Sequence, residues 1–324
     1  AAPDRLQALQ RAVRHDPGQA DGGLVLQAGH AVGATAGVVG QPMAVPASAA
    51  LVINPSGILV EQLEGSPLDR ALADLNNEAP PQTLVREVTD SLDRAVTDER
   101  IKAVVLDLDG LQGGGLAKLQ TIGDKIQKVR DAGKKVIAIG SGYTRDQYYL
   151  ASRADEVIMH ELGLVYLEGY DYYRMFFRSA LEKLQVDLNV FRVGEYKSAV
   201  EMFSRNDMSA AEREESLVWL GTLWGTYKND VAAARGFEPD KVQSYADDAV
   251  SALAAAGGDL AKMALDAGLV TALEGRTAVE QRLVQITGEN EDDESYVGVG
   301  HDAYLMNVRS QHALERRSEN RVAV

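Results

Sequence analysis

The run Lys102-Ala-Val-Val-Leu-Asp-Leu-Asp109 passes directly into Gly110-Leu-Gln-Gly-Gly-Gly115, and a helical pattern over residues 116–132 follows. A continuous apolar run of this kind is typical of a strand that is buried on both faces of a parallel sheet. Gly133 stands where a glycine that ends a helix is expected. The stretch therefore predicts a strand, a glycine-rich turn and a helix in direct succession.

Apolar runs and helical patterns alternate on both sides of this stretch. The further predicted strands are residues 135–139, 155–159 and 187–193, and the further predicted helices are residues 83–96, 145–152 and 170–184. Strands that alternate with helices in this way indicate an α/β fold with a largely parallel sheet. Upstream, two short apolar runs at residues 50–54 and 57–61 flank an Asn-Pro-Ser-Gly turn, which predicts a β-hairpin.

Beyond residue 193 the pattern is predominantly helical. Ser209 and Glu212 have the spacing of a capping box, which predicts the start of a long helix that ends near Gly236. The inward face of that helix is predicted to carry Leu217, Leu220, Leu223, Trp224 and Tyr227. Two or three more helices are expected up to about residue 285. The charged run at residues 289–294 predicts a solvated hairpin or loop, and residues 307–320 predict a surface linker.

Composition excludes several classes of protein. The 324 residues carry 33 Lys and Arg against 48 Asp and Glu, a formal net charge of −15. Nucleic acid is therefore not expected as a partner, because phosphate binding needs a concentrated basic surface. The absence of cysteine excludes disulfides, zinc sites built from thiolates and a cysteine nucleophile. The length suggests about two domains.

The amino-terminal region differs in composition from the rest of the chain. Residues 22–60 contain no Asp, Glu, Lys or Arg, and residues 24–39 are rich in Gly and Ala but poor in Leu and Ile. This favours a flexible leader over a weak or degraded membrane anchor. We divide the chain into a leader at residues 1–49, a domain at residues 50–306, and a linker with the start of another repeat at residues 307–324.

Motif searches leave few candidates for chemistry. No Walker A, H-E-x-x-H or G-x-S-x-G motif is present, and the five His residues are scattered, so neither a metal nor another cofactor is predicted. His160, at a strand end, is expected to be structural. The backbone N–H groups of residues 113–115 would suit an oxyanion or a phosphate, although a tight turn explains the glycines equally well. Ser141, in a Gly-Ser-Gly turn, is either a turn residue or a nucleophile.

Lys197 is the most suggestive single residue. It follows a predicted buried strand and is flanked by Tyr196, Ala199 and Val200. A lysine acts as a general base only when it is neutral, so its pKa must fall from about 10.4 to about 7–8, which burial among apolar groups can achieve. A lone lysine in a loop is more often structural, and composition alone does not decide between the two.

The residues around Lys197 resemble a known family. The matching positions are residues 191–201, Phe203, residues 207–209 and Arg213, together with residues 147–152, 258–259, 264–265 and 296–305. They resemble the amino-terminal half of long-form signal peptide peptidase A (protease IV). The resemblance covers about 270 residues. It implies a crotonase/Clp-protease-like fold of repeated ββα units with a helical extension, and a Ser-Lys peptidase that digests cleaved signal peptides.

The resemblance also implies a divided active site. In long-form members the amino-terminal half supplies the general base, here Lys197, and the carboxy-terminal half supplies the Ser and the oxyanion loop. The position equivalent to that Ser falls near Asp146, which cannot play its role, so this chain is expected to be inactive alone. The loop at residues 113–115 would then be a relic of duplication. Arg192, Glu195 and Tyr196 could orient the lysine segment, although a surface or packing role explains each of them equally well.

The resemblance further implies a place and an assembly. Family members lie at the bacterial inner membrane on its periplasmic side and form homotetramers, with peptides as substrates. Two alternatives stay open at this stage. One is a non-catalytic binding or assembly module of the same fold. A weaker one is an acyl-CoA enzyme of the crotonase type that uses the glycine loop as its oxyanion site.

Overall fold

The computed structural model describes residues 44–66, 68–70, 81–187, 200–290 and 295–319, with side chains as far as residue 311. Most of the predicted leader and the chain's last five residues lie outside the described residues. So does the predicted strand after residue 187. An extended stretch leads into the first strand.

Strands and helices alternate in the first half of the described chain. The strands are β1 (Ala49–Ile53), β2 (Gly57–Val60), β3 (Gln82–Leu84), β4 (Ile101–Asp107), β5 (Leu111–Gly113), β6 (Lys135–Gly140) and β7 (Glu156–Met159). The helices are α1 (Val85–Ala95), α2 (Leu116–Asp131) and α3 (Arg145–Ala151). Gly133 has a φ of 79° just after α2, which confirms the predicted helix end.

The second half is mainly helical. Its elements are α4 (Arg178–Lys183), α5 (Glu201–Ser204), α6 (Ala210–Arg235), α7 (Pro239–Asp247), α8 (Ala249–Ala255), α9 (Leu260–Asp266), β8 (Ala272–Leu273), α10 (Arg276–Thr287), β9 (Glu289–Asn290), β10 (Ser295–Tyr296), β11 (Gly298–Gly300) and α11 (His301–Glu319). Four described helices, α7 to α10, therefore follow α6. The charged run lies between β9 and β10, which pair antiparallel, and its residues 291–294 are outside the described part.

A six-stranded parallel sheet forms the centre of the fold. Its order is β11-β1-β4-β6-β7-β8, and each neighbouring pair is parallel. Every residue of β1 is buried, and so is most of β4. Strands that are covered on both faces need apolar side chains at successive positions, which is why residues 102–109 lack the alternation of a half-exposed strand. The predicted α/β class with a parallel sheet is confirmed.

A second, three-stranded sheet contains β2, and this overturns the predicted hairpin. Its order is β3-β2-β5, again with parallel pairs. β1 pairs with β4 and β11 in the large sheet, so the Asn-Pro-Ser-Gly turn carries the chain from one sheet to the other. The hairpin prediction was wrong because β1 is buried on both faces and bonds to strands that are distant in sequence. The successions β1-β2-α1 and β4-β5-α2 form the predicted ββα repeats, with β3 inserted before α1.

Helices cover both faces of the large sheet. On one face, α1 packs against α2, and the largest core cluster includes Leu92 of α1 and Leu119, Ile122 and Ile126 of α2. On the other face, α10 places Val279 and Leu283 against a smaller cluster from β1, β4, β6 and β7. Burial of this apolar surface is the main contribution to the free energy of folding.

Three further predictions need correction. Only the end of the predicted helix at residues 170–184 is helical, as α4, and α4 has no buried residue that could stabilise a longer helix. Ser209 does cap α6 and Tyr227 is buried, but Leu217 is 65% exposed, so the first half of α6 does not face the core. The predicted linker is helical as far as Glu319, because α11 packs on α1 and begins directly after β11.

Candidate active-site region

The glycine-rich loop joins β5 to α2 and needs its glycines for two different reasons. Gly115 is the N-cap residue of α2 and has a φ of 78°, in the left-handed region that favours glycine. Gly114 lies against β2, and a Cβ atom there would stand 2.7 Å from the Cβ atom of Leu59. The loop is therefore held tightly against the second sheet, with backbone N–H groups available at the start of a 16-residue helix.

A carboxylate of this same chain occupies the loop. The Gly114 N–H donates to Oδ2 of Asp146 at 3.2 Å, and the Asp146 side chain is 14% exposed. Asp146 lies in the first turn of α3, which begins with a capping box between Thr144 and Gln147. The Gln147 side-chain amide in turn donates to the Leu111 carbonyl at 2.9 Å, which ties α3 to β5. Asp146 thus supplies the anion that the loop can bind.

Arg145 holds the other side of that carboxylate. Its Nε donates to Oδ1 of Asp146 at 3.1 Å, and its guanidinium lies 4.0 Å from the ring centroid of Tyr170. A guanidinium over an aromatic face is a favourable cation–π contact. The buried Tyr227 hydroxyl donates to the Arg145 carbonyl at 2.9 Å, and burial raises the pKa of Tyr227, which keeps this hydroxyl protonated.

These contacts limit what the loop can do. An oxyanion stabilised by the Gly114 N–H would have to displace the Asp146 carboxylate, and two like charges at that distance repel each other. Asp146 also carries no hydroxyl that could attack a carbonyl carbon. The family resemblance implied that the position equivalent to the nucleophile falls near Asp146, but the sequence did not predict the bond to Gly114, because these residues are 32 apart and meet only through the sheet.

Ser141, the other candidate nucleophile, bonds to a carboxylate. Its hydroxyl donates to Oδ2 of Asp109 at 2.6 Å, and its backbone N–H donates to Oδ1 at 2.8 Å. These two bonds join the ends of β4 and β6, which is the behaviour of a turn residue. Burial, and secondarily the Asp109 charge, raises the pKa of the neighbouring Asp107.

His160 also has a local structural role. Its Nδ1 accepts the N–H of Leu162 at 3.0 Å, in the turn after β7. Among the residues that the structure describes, no three His, Asp or Glu side chains are grouped as metal ligands. No helix in that same part of the chain is both long and apolar enough to cross a membrane.

Lys197 lies outside the described residues, as do Arg192, Glu195 and Tyr196. The structure describes the chain on both sides of their segment. Before it, residues 168–187, which we call the arm, contain α4. After it, α5 begins at Glu201, a residue of the matching motif that is only 3% exposed.

The arm exposes large apolar side chains that the sequence reasoning did not single out. Tyr172, Tyr173, Met175, Leu184 and Val186 are between 40% and 84% exposed. Tyr172 meets Trp219 of α6 edge-on at 5.9 Å between ring centroids, and Leu217 and Val218 on that helix are exposed as well. The density of aromatic and Met residues at 170–177 was the available clue, but it also fits a buried helix.

The parallel sheet, the repeated ββα units and the glycine loop at a helix start define an α/β protein with a largely parallel sheet. A model of the family described as Peptidase family S49 matches residues 128–290. The chain belongs to this family.

Curated relatives agree with that assignment. The chain is 34% identical over 264 residues to Protease 4 of Salmonella typhi and 35% identical over 264 residues to Protease 4 of Haemophilus influenzae, covering 80% and 81% of this chain and 43% of each relative. It is 25% identical over 197 residues to the chloroplastic serine protease SPPA of Arabidopsis thaliana, covering 60% of this chain and 29% of that protein. The chain thus spans less than half the length of these relatives.

Solved structures with a partial likeness are enoyl-CoA hydratase/isomerase proteins. A putative member from Acinetobacter baumannii aligns with 72% of this chain and 75% of that chain, at 13% identity and a TM-score of 0.28. A putative enoyl-CoA hydratase from Mycobacterium avium paratuberculosis aligns with 78% and 94%, at 13% identity and a TM-score of 0.24.

Proposed function

We propose that this chain is the lysine-bearing half of a serine peptidase of the Ser-Lys type. Lys197 would act as general base toward a Ser hydroxyl and then, as its conjugate acid, give the proton to the leaving amine. Membership of peptidase family S49 and relatives named Protease 4 support hydrolysis of peptide bonds. No cofactor enters this chemistry, since the proton returns to the leaving group.

The observation that carries the proposal of a divided site is the bond between Asp146 and Gly114. The carboxylate fills the glycine loop at 3.2 Å and is paired with Arg145. A loop that already holds an internal anion is not available to a tetrahedral intermediate. The nucleophile and the oxyanion site would therefore come from a second, carboxy-terminal repeat, and this chain alone would not cleave peptides.

For substrate and place, we propose remnants of cleaved signal peptides at the periplasmic side of a bacterial inner membrane. The bacterial Protease 4 relatives support a bacterial setting. A homotetramer with the Ser-bearing repeats facing a shared cavity would bring the two halves of each dyad together. The exposed apolar residues of the arm support burial against another polypeptide, because large exposed apolar patches mark interaction sites.

Cleavage of casein and of a synthetic signal peptide by the full gene product tests the proposal. We expect Lys197→Ala to lower kcat about 10²- to 10⁴-fold, the usual contribution of a general base. Lys128→Ala is the matched control, because Lys128 is an exposed lysine in the last turn of α2, outside the arm. Its kcat should match that of the wild type.

Undiminished cleavage by Lys197→Ala would remove Lys197 from the mechanism and favour the second candidate, a non-catalytic assembly module. The arm's exposed Tyr173 and Met175 are the observation that supports this module. Under that alternative, Tyr173→Ser and Met175→Ser would disrupt association with the Ser-bearing repeat, measured by sedimentation, while Lys197→Ala would leave both association and cleavage intact.

A further inference from the structure

Residues 188–199, which include Lys197, are called the lysine segment. A buried carboxylate lies just after it, where the described part of the chain resumes. Glu201, four residues after Lys197, is the one buried side chain of α5 and is 3% exposed. Its Oε2 accepts the backbone N–H of Ser209 at 3.1 Å. Because Ser209 is the N-cap residue of α6, this bond ties the end of the lysine segment to the start of the longest described helix.

The connection continues from Ser209 to the arm. The Ser209 hydroxyl accepts the N–H of Glu212 at 3.2 Å, and the Glu212 carboxylate pairs with Arg174 at 3.3 Å. The Arg174 and Glu212 side chains are only 13% and 8% exposed. One buried carboxylate, Glu201, thus bonds to the N-cap residue of α6, and another, Glu212, lies in its first turn, where the helix dipole favours negative charge.

The arm also contacts α5 directly. The Phe177 N–H donates to the Met202 carbonyl at 2.6 Å, and the Phe177 and Phe203 rings stack with centroids 6.2 Å apart. α5 has four residues and could not hold its position by itself. Its place is therefore determined by the arm on one side and by Ser209 on the other.

Stability alone does not explain a buried carboxylate at this position. Removing a carboxylate from water costs several kcal/mol, and apolar side chains of similar size often stabilise a fold as well or better. Glu201 instead offers a directional bond, which fixes a distance and an angle in a region with little apolar packing. Such a bond suits a segment whose reactive group must be held within a fraction of an ångström.

We propose that Glu201 is a positioning residue for Lys197. Its carboxylate holds the exit of the lysine segment against the start of α6, so that the Lys197 amine meets the nucleophile in a reproducible geometry. This inference rests on the proposed function, in which Lys197 is the general base.

Steady-state kinetics of the full gene product, with the Ser-bearing repeat present, test the role. We expect Glu201→Ala to lower kcat roughly 10- to 100-fold with KM within about threefold, because substrate contacts are unchanged while the base is misplaced. Glu201→Gln should stay within about fivefold of wild type, since its amide oxygen can still accept the Ser209 N–H. Asp207→Ala is the matched control, because Asp207 is 78% exposed and pairs with Arg205 at the surface.

A second measurement reports the protonation of the Lys197 amine and does not depend on the cleavage reaction. An amine-reactive acylating reagent labels only neutral lysine, so mass spectrometry across a pH series reports when the Lys197 amine loses its proton. We expect Glu201→Ala to change the Lys197 labelling rate at least about fivefold near neutral pH, while the exposed Lys128 of α2 in the same samples is labelled as in the wild type.

The outcomes separate the two proposals. Wild-type kcat and an unchanged labelling profile in Glu201→Ala, with Lys197→Ala inactive, would overturn the role of Glu201 and leave the peptidase proposal standing. A kcat loss that only equals the loss of folded protein, with unchanged labelling, would overturn it too. Full cleavage by Lys197→Ala would overturn both.

Discussion

The central sheet and the arm are built on opposite principles. β1 and β4 are buried on both faces and need no polar side chain to define their position. In the arm, Tyr170 packs partly buried against the core, and the other contacts include directed ones, such as the pair of Arg174 with Glu212 and the bond from Phe177 to Met202. This chain therefore separates a self-sufficient scaffold from a segment that presents apolar side chains outward.

Hydrogen exchange should show the largest difference between the two regions. Amides of β4 are expected to exchange only by global unfolding, whereas those of α4 are expected to exchange by local opening, roughly a thousandfold or more faster. Mass spectrometry of peptic fragments measures both in one sample, with α2 as a protected helical control. Equal protection of α4 and α2 would show that the arm is as stably folded as the scaffold.

The next largest difference between the central sheet and the arm should appear in the stability cost of truncating a side chain. Leu106 of β4 is 1% exposed, and we expect Leu106→Ala to lower the free energy of unfolding by about 2–5 kcal/mol. Met175 is 70% exposed, and Met175→Ala should change the free energy of unfolding by less than about 0.5 kcal/mol. Urea unfolding of both variants measures the contrast. A similar cost for both would mean that the arm is packed as tightly as the sheet.

A pH-dependent contact in the scaffold gives a smaller effect. The bond from the Arg100 side chain is the main reason that the pKa of Asp98 is lowered to about 2, and the Tyr304 hydroxyl, 3.0 Å from Oδ2, adds to it. Because the folded pKa lies below the usual 3.8, the stabilisation is fully present above about pH 4 and is lost as the pH falls toward 2.

We therefore expect Asp98→Asn to lower the free energy of unfolding by about 1–2 kcal/mol near neutral pH. Urea unfolding at several pH values checks this, and the difference from wild type should shrink as the pH drops below about 4. Glu99→Gln, next to it in sequence, serves as a surface control. A pH-independent difference would show that the Asp98 charge is not the cause.

Removing the Asp146 carboxylate from the glycine loop should have the smallest effect on the free energy of unfolding. Asp146→Ala leaves the Gly114 N–H without its carboxylate partner, and we expect a loss of about 1 kcal/mol in the free energy of unfolding. Asp146→Asn should lose less, since its amide oxygen can accept the same N–H. Thermal melts of the two variants compare them. If the full gene product lost cleavage in Asp146→Ala, the loop would belong to the active site after all.

The sequence by itself determined the elements that depend on neighbouring residues. The strand β4, the helix α2 and its terminal Gly133 follow from apolar runs and local backbone preferences. The predicted glycine turn is only partly confirmed, because residues 111–113 of it form β5, which pairs with β2. The cap of α6 by Ser209 follows from hydrogen bonds within four residues. The motif around Lys197 indicated the family before any tertiary contact was known.

Only the tertiary structure decided what depends on distant partners. β1 and β2 look like a hairpin but enter different sheets, because β1 pairs with β4 and β11. The helical pattern of the arm is not realised over its whole length, since α4 buries no side chain and Tyr172, Tyr173 and Met175 stay exposed. Asp146 meets Gly114 across 32 residues, so the state of the glycine loop depends on how the sheet brings α3 to β5. Local backbone preferences determine which segments form strands and helices, and long-range burial and hydrogen bonding determine which of these elements pack together.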